Sequence, residues 1–232
     1  MRRLWRDKCQ GRICFPIIET TMEKALKAIH EAHPMADLLE LRVDYLREPG
    51  LGLLLNGRKK PIIITNRRKE EGGRYRGDER RRLGVLEEAI DLGVDFIDVE
   101  LGTERSLLHG LIRNKKETKV ILSFHDFKRT PPQQELKKMC DRMIQFGVDI
   151  IKIVTFARSL EDNLNTLSLI PYARKRKQEI VAFCMGEKGR MSRIFAPLMG
   201  AAWTYGSLCR NRVSAPGQLT IQELKDIWER LG

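Results

Sequence analysis

Lys119-Val120-Ile121-Leu122-Ser123-Phe124 and Asp149-Ile150-Ile151-Lys152-Ile153-Val154 are the stretches that decide how this chain folds. Each is a short run of β-branched and large apolar residues, the make-up of a strand buried on both faces. Between them, Gln134–Phe146 carries apolar residues at i, i+3 and i+4, one face of a helix. Strand, helix and strand in that order form a parallel βαβ unit.

The alternation continues outward in both directions. Strand-like runs recur at Ile13–Ile17, Leu38–Arg42, Pro61–Asn66, Phe96–Glu100, Lys119–Phe124, Ile150–Val154, Ile180–Met185 and Ala201–Tyr205. Helical spacing fills Glu23–Ala32, Leu83–Leu92, Asn163–Ala173 and Ser192–Met199; Thr20 or Thr21 is the N-cap of the first, and Leu219–Leu231 is a last outer helix. Eight units in 232 residues leave about 29 each, enough for a strand, a helix and two short loops. No linker or composition shift divides the chain, and Ile18-Glu19-Thr20 after the first run is no glycine-rich phosphate turn. The expectation is an α/β fold, a single (β/α)8 TIM barrel spanning residues 1–232, with Met1 to Gly11 covering its bottom.

Composition narrows the function. No apolar run approaches the roughly 20 residues of a membrane span, and the basic N-terminus lacks the apolar core of a secretory signal, so a cytoplasmic protein is expected. Five cysteines, odd in number and widely spaced, point to reduced thiols rather than to a disulfide framework or a zinc clip. A net charge of +12 fits either a nucleic-acid surface or an enzyme that attracts anionic substrates.

Polar residues interrupt strands that a barrel should bury. Glu40 and Arg42 share one face of their run, Asp98 and Glu100 share another, and so do Ser123 and His125; Lys152 stands alone in an apolar run. Taken singly, each has an ordinary ion-pair explanation, Glu40 with Arg42 or Arg67 and Glu100 with Lys152. Four strands breaking the same rule point to a site at their ends. Lys152, fenced by Ile150, Ile151, Ile153 and Val154, is expected to be desolvated, with Arg42 or Arg67 nearby further favouring its free amine. A free amine attacks carbonyls, and His125, the one histidine at a strand end, is suited to moving protons beside it. Lysine plus histidine points to Schiff-base chemistry.

At these residues the sequence resembles the type I 3-dehydroquinate dehydratases, (β/α)8 enzymes of the shikimate pathway. The match runs in order through Glu40/Arg42, Arg67 with Lys69-Glu70-Glu71-Gly72-Gly73, Asp98-Val99-Glu100-Leu101, Ser123-Phe124-His125-Asp126-Phe127, Asp149-Ile150-Ile151-Lys152, Met185-Gly186, Ser192-Arg193 and Ser214-Ala215-Pro216-Gly217-Gln218. The resemblance implies syn elimination of water from 3-dehydroquinate through an imine on Lys152. His125 would serve as general acid and base, and Glu71 would be its carboxylate partner; spacing from Gly72-Gly73 favours Glu71 over Glu70. Glu40, Arg42 and Arg67 would hold the substrate hydroxyls, Arg193 and Gln218 would grip its carboxylate, and Ser214 with its loop would close over it. No metal or organic cofactor and no nucleic-acid or membrane partner is expected, and a homodimer is. Phe15 stands where members commonly carry a smaller residue.

Two rival readings remain open at this point. A lysine-dependent aldolase acting on a phosphorylated sugar would use glycine-rich phosphate loops after the last two strands, where Gly186-Glu187-Lys188-Gly189 and Gly206-Ser207 are weak matches. A nucleic-acid module would use Arg67–Arg82 and Ala173–Lys177, yet eight basic residues of the first stretch stand among four acidic ones, and Tyr75 alone is available for stacking.

Overall fold

The computed structural model describes residues 11–211 and 213–231. The segment expected to cover the barrel bottom therefore lies, except for Gly11, outside the described residues.

Eight parallel strands carry the fold: β1 (Ile13–Ile17), β2 (Leu38–Arg42), β3 (Ile62–Thr65), β4 (Phe96–Glu100), β5 (Lys119–His125), β6 (Ile150–Phe156), β7 (Glu179–Met185) and β8 (Thr204–Ser207). They pair in sequence order, β8 returns to lie beside β1, and a two-residue strand, β9 (Leu219–Thr220), adds to β8. The ladder runs from β8 through β1 to β7; across the β7/β8 seam the Ala202 N–H donates to the Ile180 carbonyl at 2.8 Å. The sheet is thus curled into the expected barrel.

Around it lie α1 (Met22–Ala32), α2 (Leu51–Leu55), α3 (Glu79–Asp91), α4 (Arg105–Arg113), α5 (Gln133–Ile144), α6 (Glu161–Leu167), α7 (Leu169–Arg174), α8 (Arg190–Leu198) and α9 (Ile221–Leu231). Thr21 is the N-cap of α1, its hydroxyl accepting from the Lys24 N–H. Among the described residues no helix is long and apolar enough to cross a membrane.

Four elements depart from the sequence expectation. The helix expected over Asn163–Ala173 is two, α6 and α7, meeting at Ser168: Pro171 has no N–H for the Leu167 carbonyl, so the chain restarts there with Pro171 in the new first turn. The last barrel strand starts at Thr204 rather than Ala201, because Ala201 still donates its N–H to Ala196 in the turn that ends α8. Helices α2 and α4 fill units in which periodicity marked no boundary, α2 because it is only five residues long.

Alternation along the strands sorts their side chains into two layers. Ile13, Leu39, Leu41, Ile62, Ile64, Ile97, Val99, Val120, Leu122, Ile151, Ile153 and Ile180 face outward and pack under the helices, together with Leu86, Leu108, Leu136 and Ile170. Each contributes roughly 1.5–3 kcal/mol by leaving water. Inside, Cys14, Leu38, Ile63, Ile121, Ile150, Val181 and Trp203 form the apolar floor. Above that floor the interior turns charged.

Candidate active site

Lys152 sits on β6 inside the barrel and is 4% exposed. Its Nζ donates to Asp98 Oδ2 at 3.0 Å and to the Tyr205 hydroxyl at 2.9 Å, with Glu40 Oε2 at 3.6 Å. The expected neighbours were guanidinium groups; those found are two carboxylates. Arg42 instead makes a fork to Asp44, Nε to Oδ1 and Nη2 to Oδ2 both at 2.8 Å. Arg67 is drawn to Asp98 (Nη2 to Oδ1, 2.8 Å) and Glu100 (Nη1 to Oε1, 3.1 Å). The Glu100–Lys152 pair considered from sequence does not form, since Glu100 lies between Arg67 and Arg82, with Arg82 Nη1 2.6 Å from its Oε2. Neither does a pair of Glu40 with Arg42 or Arg67: Glu40 accepts from Thr65 Oγ1 at 2.6 Å and faces Lys152.

Strand register brings these groups to one level of the barrel. Ser123 is level with Lys152 on one side and with Glu100 on the other, so inward side chains of β4, β5 and β6 converge at one height. Ser123 Oγ donates to Asp98 Oδ1 at 2.6 Å and accepts from Arg67 Nη1 at 2.7 Å. Burial opposes the charge on Asp98, yet Arg67 and Lys152 outweigh it and hold the carboxyl well below the usual carboxylate range.

His125 ends β5 one step above. Burial, reinforced by the Arg67 and Lys152 charges, pushes its pKa well below the ordinary imidazole value. Its Nδ1 lies 3.1 Å from Glu71 Oε2. Burial pushes the Glu71 carboxyl up to about 7, against the pull of Arg67, with Glu100 and Asp98 adding to the rise. Glu71 reaches the barrel mouth from a single 3-10 turn, Lys69–Glu71, closed by Gly72 at φ 76°. A Cβ on Gly73 would lie 2.0 Å from the Arg67 carbonyl oxygen, so the glycine pair lets this loop fold back over β3.

The third group comes from α8. Arg193 is 1% exposed and stacks on Phe183, its Cζ 4.4 Å from the ring centroid. Its Nε has no hydrogen-bond partner, Nη2 reaches only the Pro216 carbonyl at 3.4 Å, and burial lowers its pKa to about 10. A buried guanidinium that faces a cavity and has no carboxylate partner of its own among the described residues is prepared for an anion from outside. Lys152, His125, Glu71, Glu40, Arg42, Arg67, Arg193 and Ser214 all line one cavity of about 570 Å³ at the C-terminal mouth of the barrel.

A scan against protein-family models matches residues 13–232 to type I 3-dehydroquinase. The chain belongs to that family. It is 37% identical over 218 residues to the 3-dehydroquinate dehydratase of Methanocaldococcus jannaschii, covering 93% of this chain and 97% of the relative. It is 36% identical to the bifunctional 3-dehydroquinate dehydratase/shikimate dehydrogenase of Arabidopsis thaliana, covering 93% of this chain and 36% of that longer protein. The crystal structure of the type I 3-dehydroquinate dehydratase of Clostridium difficile is similar at a TM-score of 0.87 and 29% identity, over 96% of this chain and 92% of that one. A 3-hexulose-6-phosphate synthase shares the barrel at a TM-score of 0.61 and 12% identity, a likeness of fold alone.

Gln218 differs from the other expected dehydroquinase-family positions. It does not line the cavity; its Oε1 accepts from the Ser214 N–H at 2.8 Å and Oγ at 3.2 Å, and its buried Nε2 has no partner. The segment it holds docks on the end of β7, where the Gly186 N–H donates to the Pro216 carbonyl at 3.1 Å. Phe15 points outward into the helix-facing core, and its neighbour Pro16 lines the cavity, so the bulky ring on β1 does not crowd the site. Arg210, which follows β8, pairs with Glu223 and is exposed; Arg212 lies outside the described residues.

Sequence reasoning gave Asp98 no separate role and missed Asp44 and Tyr205. Asp98 shared a face with Glu100, the available signal. Asp44 follows its strand, so alternation could not aim it. Tyr205 sat two residues from Trp203 in an apolar run, its hydroxyl unremarkable until β8 is set opposite β6.

Proposed function

We propose that this chain eliminates water from 3-dehydroquinate through an imine on Lys152, with the whole of residues 1–232 serving as one catalytic domain. As a type I 3-dehydroquinase the chain is an enzyme, a hydro-lyase of the shikimate pathway. The observation that carries the finer reading is a buried lysine, a histidine–carboxylate pair and an unpaired arginine converging on one cavity.

Arg193 takes the substrate carboxylate and so aims the C3 ketone at Nζ. Asp98 and Glu40 retain the lysine beside it. The amine adds to the carbonyl carbon, and the carbinolamine loses its hydroxyl as water to leave an iminium. That cation withdraws electrons and acidifies the neighbouring C2–H, so the reaction needs no other electron sink. His125, kept neutral by burial and by the Arg67 and Lys152 charges, is the base that takes the C2 proton. The enamine then expels the C1 hydroxyl, which leaves as water with the proton returned by His125, and hydrolysis of the conjugated imine frees 3-dehydroshikimate and Lys152. Glu71 holds the imidazole by Nδ1 and stabilises its charged form. Arg42, Arg67 and Glu40 meet the ring hydroxyls, while Gln218 holds Ser214 over the bound acid.

The test is chemical trapping. Incubation with 3-dehydroquinate should produce enone absorbance, and borohydride added during turnover should fix a substrate-derived mass on the peptide containing Lys152. Lys152→Met should remove both the label and the activity while the protein stays folded, since methionine fills a similar volume. A label on another lysine, or ordinary turnover by Lys152→Met, overturns the mechanism.

A further inference from the structure

Lys152 must change its hydrogen-bonding character during the proposed reaction. As an ammonium it donates, as the attacking amine it must keep its lone pair free and aimed at the carbonyl carbon while its N–H groups still donate, and as an iminium it donates once more. Asp98 and Glu40 are carboxylates and can only accept, so they serve the cationic forms. The other group in hydrogen-bond contact with Nζ is the Tyr205 hydroxyl, at 2.9 Å, with its ring centroid 4.6 Å from Nζ. A phenol both accepts and donates.

Tyr205 keeps its proton. It is buried, and burial, then the nearby Glu40 charge, push its pKa well above the ordinary phenol value. Its oxygen accepts from Nζ, and its own O–H lies within reach of the Cys14 sulfur.

We infer that Tyr205 is a positioning residue for the nucleophile, its hydroxyl oxygen accepting an N–H of Lys152 as ammonium, as free amine and as iminium, so that the lone pair of the amine is turned to the cavity and not to the tyrosine. The role rests on Lys152 being the imine-forming amine. No proton is gained or lost by Tyr205 in this cycle, and the proton shed by Lys152 leaves through His125 or water. The charged and titratable groups about Nζ are Asp98 on β4, Glu40 on β2, Cys14 on β1, His125 on β5 and Arg67 after β3. Beside them Tyr205 is an uncharged acceptor in direct contact with Nζ.

Tyr205→Phe removes one oxygen and leaves the ring in place. The variant should lose 10–100-fold in kcat with KM changed less than threefold, and the rate of borohydride labelling of Lys152 in a single turnover should fall by the same factor. Unchanged kcat and labelling rate, or a KM that rises as far as kcat falls, overturn the role of Tyr205. If wild-type protein is not labelled at Lys152 at all, the imine reading itself fails, a result distinct from a normal label in wild type and an unaffected variant. Should Tyr205→Phe be poorly folded, incorporation of 3-fluorotyrosine at position 205 supplies the second variant. Its oxygen is a poorer acceptor, so kcat and the labelling rate should both fall with KM little changed, and unchanged rates overturn the role.

Discussion

Arg82 Nη1 lies 2.6 Å from Glu100 Oε2 in a pair that is wholly buried and never reaches the cavity. It anchors a chain of charges: Arg82 holds Glu100, Glu100 holds Arg67, Arg67 holds Asp98, and Asp98 receives Lys152. The remaining Arg82 donors are taken by Glu79, Thr103 and the Asn66 carbonyl, which leaves no loose guanidinium beneath the site. Of the eight basic residues in the stretch 67–82, Arg67 and Arg82 are thus spent inside the protein, while Lys69, Arg74, Arg76, Arg80 and Arg81 stay exposed.

Breaking a buried pair from one side leaves the other charge uncompensated. Arg82→Met should therefore cost about 3–5 kcal/mol of stability, measured by urea unfolding, and should lower kcat although residue 82 is outside the cavity. A loss below about 1 kcal/mol with unaltered kcat would show the chain to be mere surface electrostatics.

Arg193 presents the opposite case, a cation buried before its partner arrives. Its pKa, lowered to about 10 by burial, means that the folded protein bears a penalty for the charge throughout the neutral range. Arg193→Met should raise Tm by a few degrees, on the scale of roughly 2–4 °C per kcal/mol for a chain of this size. The same change should raise KM at least 10-fold with a smaller effect on kcat, whereas His125→Ala should lower kcat with little change in KM. An unchanged KM for Arg193→Met would remove it from the carboxylate grip.

Glu71 ties pH to stability with a definite sign. Its carboxyl is raised from 4.5 to about 7, so between those values the native state holds a proton that the unfolded chain has released. Stability from this group is greatest below about pH 4.5 and is lost as pH rises through 7. Glu71→Gln should then be more stable than wild type at pH 8 by on the order of 1–3 kcal/mol, with the gain vanishing toward pH 4.5. His125, depressed below 6.5, contributes the opposite slope, stability gained as pH rises toward 6.5, and should do so in both proteins. Thermal melts from pH 4 to 8 measure the difference; a gain independent of pH would detach Glu71 from this titration. Turnover should fall in the same variant, since the imidazole loses the carboxylate that holds it.

Because the iminium is the electron sink in the proposed reaction, turnover should persist after prolonged chelation and dialysis. Loss of activity that returns with added zinc or magnesium would bring a metal-assisted elimination forward instead.

The barrel was legible in the sequence because a parallel strand buried on both faces and an amphipathic helix are local patterns, the strand repeated eight times and the helix plain in six segments. Violations of the apolar rule at Glu40, Arg42, Ser123, His125 and Lys152 were legible for the same reason: period two assigns a face without knowing the neighbours. What alternation cannot say is which inward residue stands level with which, since that depends on the register between strands. Register leaves Glu100 level with Lys152 through Ser123, yet Lys152 pairs with Asp98 and Tyr205 because Arg67 and Arg82 hold Glu100, while Asp44, Asp98 and Glu100 draw Arg42 and Arg67 away from the lysine. Pro171 dividing a helix could be read locally, but the tasks of Gln218 and Arg82 could not. Gln218 turns back on Ser214, four residues away, in a loop that no periodicity describes, and Arg82 reaches Glu100 on a neighbouring strand. Local sequence determined the architecture and the chemical cast of the site; strand register and loop docking, which are long-range, decided the pairings that set each group's charge.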